Sequence, residues 1–237
     1  MTLNDLDLQG QRTLVRVDFN VPLDDAQNIT DATRIRRAIP TIQTLLDGGA
    51  SVVLMSHLGR PKGPSAELSL KHLVPTLSEL LGRPVKFAED CVGDKALDVT
   101  QNLQPGEVAL LENLRFHDEE KAGDEFFAGQ LAESGDVYVN DAFGTAHRDH
   151  ASTAVIAKFF PEDKAFGLLM QGEVEALNKV LSTPAKPLLA IIGGAKVSSK
   201  LSILENLVDR VDKLIVGGGM AYTFVKAQGG EVGQSLV

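Results

Sequence analysis

Short runs rich in Val, Ile and Leu alternate along the chain with longer segments whose apolar residues recur at helical spacing. That alternation is the signature of βα units feeding a parallel sheet. It predicts strands at 13–17, 51–55, 85–87, 108–111, 137–139, 188–192 and 214–216. Helices are predicted between them. One runs through 32–46, capped by Thr30 or Asp31 and stopped at Gly48-Gly49; others cover 69–82, ended by Gly82, and 118–135, ended by Gly135. A further amphipathic stretch carries Val174, Leu177 and Leu181 and is followed by the breakers Pro184 and Pro187, as a helix connecting two lobes would be. The βα pattern then restarts. The expected fold is α/β: a doubly wound parallel-sheet domain at 1–168, an interlobe helix and linker at 169–185, and the first βα units of a second Rossmann-like domain at 186–237. Two βα units fall short of an ordinary doubly wound domain, which holds about 100–150 residues, so the second lobe is expected to be incomplete.

Composition narrows the function classes. With 43% hydrophobic and 23% charged residues the 237-residue chain buries a large core, and its formal net charge of −9 opposes a general nucleic-acid or membrane-surface binder. No apolar run approaches the roughly 18 residues of a membrane span, and the opening MTLNDLDLQG is polar, so the expected location is cytoplasmic. Cys91 is the only cysteine, which rules out an intramolecular disulfide and is read as excluding a thiolate zinc site.

Against that acidic background the positive clusters stand out. In a parallel α/β sheet the carboxyl ends of all strands open onto one edge, where ligands bind. Arg34, Arg60, Arg115 and Arg148 each fall at a helix start or just past a strand end. One such arginine is usually a surface ion pair; four together suggest an anion, since the guanidinium fork matches phosphate and carboxylate oxygens. Asp18, Asn20 and His57 lie in the same clusters and suit a ligand that also carries hydroxyl and carboxylate groups. His147 and His150, near Asp141, have a spacing that can hold metal, but a permanent zinc site is not expected. His72, His117 and His150 are read as solvated or structural. Magnesium would arrive with a nucleotide, held mainly by phosphate oxygens, and no Asp is assigned to it.

The run GGAKVSSK, residues 193–200, follows an apolar strand and opens a helical segment, so its backbone N–H groups favour an anion. It is not a Walker A loop, and no G-x-G-x-x-G fingerprint occurs. Gly217-Gly218-Gly219 ends the next strand and could lie beside a nucleotide base or ribose. Taken singly, each glycine cluster is more often a plain βα turn.

In order, RVDFNVPL, TRIRRAIPTI, VVLMSHLGRPKG, LLENLRFH, VNDAFGTAHRDHAS, GGAKVSSK and VGGGMAYTF resemble the successive motifs of the phosphoglycerate kinase family. The resemblance implies reversible phosphoryl transfer between 1,3-bisphosphoglycerate and ADP, giving 3-phosphoglycerate and ATP in glycolysis. It implies a first lobe that binds the phosphoglycerate, a second that binds ATP or ADP with Mg2+ delivered by the nucleotide, closure about the helix at 171–181, and a monomer. By matching motifs Asp18, Phe19, Asn20, Arg34, His57, Gly59, Arg60, Arg115 and Arg148 carry over as the triose-phosphate site, and Gly194, Ala195, Lys196, Lys200, Gly217 and Gly218 as the nucleotide site. Arg60, Arg115 and Arg148, assisted by His57, would anchor the fixed phosphate, while Asp18 and Asn20 orient the hydroxyl and carboxyl end. Arg34 and Lys200 would touch the migrating group as catalytic residues. Ser199 stands where many members have Asp. The family's second lobe continues past the segment matching Val237, with an Asp for the metal, a Glu for the ribose and a terminal segment packing on the first lobe. The 237 residues are therefore expected to bind 3-phosphoglycerate but to be inactive or very weak alone. An active kinase and a noncatalytic interaction protein are the alternatives.

Overall fold

The computed structural model describes residues 2–182 and 185–237, apart from the side chains of Leu181 and Ser199. Pro184 and those two side chains, named above, lie outside the described residues. The chain divides into a first compact unit that ends at Val174 and a second that begins at Glu175.

In the first unit the strands are β1 (Arg12–Arg16), β2 (Ser51–Met55), β3 (Val85–Phe87), β4 (Val108–Leu110), β5 (Val137–Asn140) and β6 (Lys164–Phe166). They form one sheet of order β3-β4-β2-β1-β5-β6, and every pairing is parallel. The chain winds away from β1 in one direction to reach β2 and returns to its other side as β5, so β1 and β5 flank a topological switch point. Strand periodicity sends Leu14, Val53, Met55, Ala109 and Tyr138 into one buried cluster and Val15, Val52, Leu54, Val108 and Val139 into another. Two cores, one per face, are what a doubly wound sheet requires.

Helices α1 (Thr33–Asp47), α2 (Val74–Leu81), α3 (Asp94–Thr100), α4 (Asp118–Ala122) and α5 (Glu125–Ala132) connect these strands. The stripe Ile35, Ala38, Ile42 and Leu45 of α1 joins Leu77 and Leu81 of α2 over one face. Ala96 of α3 joins Phe127, Ala128 and Leu131 of α5 over the other. Each large apolar side chain so buried stabilises the unit by about 1.5–3 kcal/mol.

The strands match the sequence expectation to within about a residue at each end. The single helix expected over 118–135 is instead two. Gly123 takes φ 67, where a Cβ would run into the Asp149 carbonyl oxygen, and the Asp124 carboxylate then caps a new helix by accepting from Phe127 N at 2.8 Å. The 69–82 segment opens as a 3-10 turn, Leu70–Leu73, before becoming α2, and Gly82 closes it at φ 64. Asp31 accepts from Thr33 N at 2.8 Å, although Ala32 is the formal N-cap of α1. Strand β6 and helix α3 were not expected, being too short for a hydrophobic period to show.

Helix α6 (Leu168–Ser182) crosses the division between the units. The division therefore falls inside the helix, within the 169–185 segment read from the sequence as interlobe helix and linker. In the second unit β7 (Leu189–Gly193) pairs in parallel with β8 (Lys213–Gly217), and α7 (Leu201–Val208) and α8 (Met220–Ala227) follow them. This small sheet leaves Leu189, Ile191 and Ile215 exposed. Among the described residues no helix is long and apolar enough to cross a membrane.

Candidate functional site

The carboxyl end of β1 begins with a charge in an unusual place. Period two sets Arg16 on the same face as Leu14, where a central strand would ordinarily carry an apolar residue, and its side chain is fully buried. Its fork is spoken for: Nη1 donates to the Val17 carbonyl, Nε to Ser152 Oγ at 2.8 Å, and Nη2 meets His57 Nδ1 at 3.3 Å. The chain then turns out of the sheet through Asp18, Phe19 and Asn20. Asp18 Oδ2 accepts from Arg34 Nη1 at 2.6 Å, which brings the first turn of α1 to the strand end. Asn20 Oδ1 accepts from Gly59 N at 2.8 Å and so ties the β1 exit to the β2 exit. Phe19 differs from the expectation. Its side chain is fully buried in the apolar core, and only its backbone serves this edge, donating to Ser56 Oγ at 2.8 Å.

Asn113, after β4, holds the next loop in place. Its Oδ1 accepts from Leu58 N at 3.2 Å and Arg115 N at 3.1 Å, while Nδ2 donates to the carbonyls of Leu58 and Leu68, both at 2.9 Å. Arg115 is thereby turned toward the β2 loop, where Nη1 donates to Gly59 O at 2.8 Å. Gly59 adopts φ 63, a conformation that suits glycine and lets one residue serve both Asn20 and Arg115. Arg115 Nε is buried and has no partner among the described residues. Together Arg60, Lys62, Arg115, Lys121, Arg148 and His150 line a cavity of about 390 Å³ with Pro61.

Electrostatics sets this cavity apart. Arg16, Arg60, Arg115 and Arg148 form no ion pair among the described residues, although the chain as a whole is acidic. Burial first, and then the charges of Arg16, Arg115, Arg148 and Arg34, push the His57 imidazole down to about 2, so the ring is neutral. Burial and the neighbouring Arg148 and Arg16 likewise lower Arg115 from its ordinary value. Arg60, Arg115 and Arg148, with no carboxylate paired to them among the described residues, are held against their mutual repulsion by the fold, and an anion entering among them relieves it. Of the residues expected at the triose-phosphate site, the structure brings Asp18, Asn20, Arg34, His57, Gly59, Arg60, Arg115 and Arg148 to this edge. Arg16, Asn113, Lys62 and Lys121 were not foreseen. The one signal available was Arg16, a charge inside a run otherwise apolar enough to be buried on both faces.

Other candidates resolve differently. Asp141 is fully buried; its Oδ1 accepts from Met170 N at 3.1 Å, and burial raises its carboxyl above the usual range. It thus fastens the start of α6. Among the described residues the ligand atoms that do approach one another are those of Asp90, Cys91 and His117, all within 4.8 Å, so a single cysteine did not exclude a mixed cluster. There His117 Nε2 and Asp90 Oδ1 already share a hydrogen bond at 2.8 Å, and Cys91 is buried in the apolar core with its thiol pushed up by burial. A larger cavity of about 590 Å³ beside Asp90 and His117 has walls of mixed charge, including Glu89, Glu112, Lys71 and Lys95. His72 meets the Ala66 carbonyl at 2.7 Å.

In the second unit the two glycine turns pack on each other. A Cβ at Gly218 would lie 3.0 Å from Gly194 O, one at Gly219 would lie 2.8 Å from Ala195 O, and Met220 N donates to Gly194 O at 2.8 Å. The glycines therefore have a packing reason in addition to any ligand. Lys200 stands at the N-cap of α7 and its Nζ donates to Gly193 O at 2.7 Å. Ala195, Lys196, Val197, Ser198 and Leu201 line a cavity of about 490 Å³ with Thr223, Leu236 and Val237. None of these side chains is acidic.

The family model described as Phosphoglycerate kinase matches residues 3–237. A curated relative from Moorella thermoacetica, named Phosphoglycerate kinase, is 58% identical over 238 residues, covering 100% of this chain and 60% of the relative. One from Triticum aestivum, named Phosphoglycerate kinase, cytosolic, is 56% identical over 236 residues, covering 100% of this chain and 59% of the relative. The solved phosphoglycerate kinase of Coxiella burnetii superposes with a TM-score of 0.86 at 42% identity, covering 100% of this chain and 59% of that one. The chain thus spans about 60% of the length of the curated relatives it matches.

Proposed function

Because the chain belongs to the phosphoglycerate kinase family, we propose that its strand-end arginine cluster binds 3-phosphoglycerate or 1,3-bisphosphoglycerate. The reading rests on the cavity walled by Arg60, Arg115 and Arg148, whose lining includes no carboxylate among the described residues. Arg60, Arg115 and Arg148 take the fixed phosphate with His57 beside them, and Arg115 Nε is a donor without a partner among the described residues. Asp18 and Asn20 receive the hydroxyl and carboxyl end. Arg34 is paired with Asp18 at 2.6 Å, and a ligand carboxyl or phosphoryl group competes with that carboxylate for its fork.

For a protein of the relatives' full length the proposed reaction is a phosphotransfer between the acyl phosphate of 1,3-bisphosphoglycerate and ADP, and the proposed location is cytoplasmic, the wheat relative being named cytosolic. Such a transfer asks the protein for positioning and charge stabilisation more than for covalent chemistry. Lys196 and Lys200, with the backbone of Gly194, Ala195, Gly217 and Gly218, are the proposed nucleotide contacts. Lys200 must exchange the Gly193 carbonyl for a phosphate oxygen to serve in this way.

Calorimetric titration of the 237-residue chain with 3-phosphoglycerate tests the reading. One saturable site is expected, and the combined Arg34→Ala and Arg148→Ala changes should remove its heat. Two lost charged hydrogen bonds amount to about 3–6 kcal/mol, or on the order of a hundredfold or more in affinity. An intact, folded chain that releases no heat with 3-phosphoglycerate overturns it.

A further inference from the structure

Behind His57 lies a buried chain of polar groups. Glu120 of α4, Ser152 and Arg16 are all fully buried. Ser152 N donates to Glu120 Oε2 at 2.9 Å, and Ser152 Oγ donates to Glu120 Oε1 at 2.6 Å. With its proton given to the carboxylate, the same hydroxyl presents a lone pair to Arg16 Nε at 2.8 Å. The Val17 carbonyl accepts from Nη1, which leaves Nη2 facing His57 Nδ1 at 3.3 Å. A guanidinium has donors and no acceptor, so an imidazole nitrogen bonded to it must offer its lone pair. The histidine that meets Arg16 therefore carries its proton on the other nitrogen.

We infer that Glu120 and Ser152 are positioning residues for His57, holding Arg16 against Nδ1 so that the ring is a neutral Nε2–H donor. The arrangement has a chemical purpose at an anion site. The opposite tautomer would set an N–H against the guanidinium and turn a lone pair toward the ligand's oxygens, two repulsions in place of two hydrogen bonds. Glu120 also supplies the negative charge that a fully buried Arg16 needs, and it does so through a hydroxyl instead of by direct pairing, which leaves Nη2 for the histidine. Its place is secured from the backbone as well, since Ala151 N donates to Glu120 O at 3.0 Å. The dependence of ligand affinity on this chain rests on the phosphoglycerate reading above; the state of the ring does not.

The test is a long-range proton–nitrogen correlation spectrum of the imidazole rings at neutral pH, with the His57 signals assigned by their loss in His57→Asn. In the unliganded wild-type chain the expected pattern is a neutral ring protonated on Nε2. In Glu120→Gln, and in Ser152→Ala should the first variant not fold, the Nδ1 signal moves toward a tautomer mixture. The affinity for 3-phosphoglycerate falls about tenfold, the weight of one charged hydrogen bond. A wild-type ring that is doubly protonated or protonated on Nδ1 overturns the inference. So do folded variants whose His57 signals stay at the wild-type positions. A wild-type chain with the expected ring pattern and no affinity for 3-phosphoglycerate leaves the positioning role standing and removes the ligand reading instead.

Discussion

Acidification should weaken the first unit through His57, by an amount that can be worked out. Burial and the cations Arg16, Arg115, Arg148 and Arg34 depress its folded value to about 2, against 6.5 when unperturbed. His57 as a residue is only 4% exposed, so solvent does little to screen these effects. For a base whose folded pKa is lowered, the unfolded chain binds the extra proton, so stability is full above 6.5 and is lost as pH falls below it. Between about pH 7.5 and about pH 5 the linked loss is about 2 kcal/mol, and any folded value below about 4 gives the same figure. Other groups titrate over this range too, so the measurement is a difference. Urea unfolding, followed by far-UV circular dichroism because the chain has no tryptophan, is run at both pH values on wild type and on His57→Asn. Asparagine keeps an acceptor for Arg16 and does not titrate. Wild type should lose about 2 kcal/mol more than the variant. Parallel losses, equal within about 0.5 kcal/mol, would refute the claim that a neutral histidine is held among these cations.

Three more outcomes follow from the geometry. Gly123→Ala, at φ 67 and with a Cβ directed at the Asp149 carbonyl, should cost about 1–3 kcal/mol by urea midpoint; a loss under about 0.5 kcal/mol would mean that α4 and α5 do not need this break. Ile42→Ala, at a fully buried position of the α1 stripe, should cost about 2–5 kcal/mol, whereas a surface-like change near zero would contradict the core described for that face. Lys121→Ala should weaken 3-phosphoglycerate binding about two- to fivefold at low salt and less at high salt, since Lys121 lines the cationic cavity but is half exposed and paired with Asp118 at 3.0 Å. An effect independent of salt would assign Lys121 some other role.

Much of the fold was legible because the parallel strands are continuous apolar runs. Val52, Val53 and Leu54 are buried on both faces, and such a run announces itself whatever the register. The division of the 118–135 segment was not legible, because it depends on Gly123 meeting the distant Asp149 carbonyl, a contact no local pattern encodes. At the site, the arginines could be read because each follows a strand or opens a helix after one, and strand ends converge. Phe19 could not be placed, since its neighbours Asp18 and Asn20 face the crevice while it turns into the core. The supports were harder still. Glu120 lies in a stretch read only as helix and Ser152 ends a motif read for its arginine, and their partner Arg16 is over a hundred residues away in sequence. Only the folded chain shows that these three complete one another.

The central claim is that the arginines at the sheet edge are built for a ligand anion, and Arg115 Nε tests it most directly. It is a buried donor with no partner among the described residues. Arginine Nε–H spectra of the unliganded chain, recorded while 3-phosphoglycerate is added, should show the Arg115 signal moving to saturation along with those of Arg60 and Arg148. The Arg12 signal, held by Asp136 at 3.1 Å, should stay in place. An Arg115 signal that does not move at concentrations that shift exposed side chains would contradict the account.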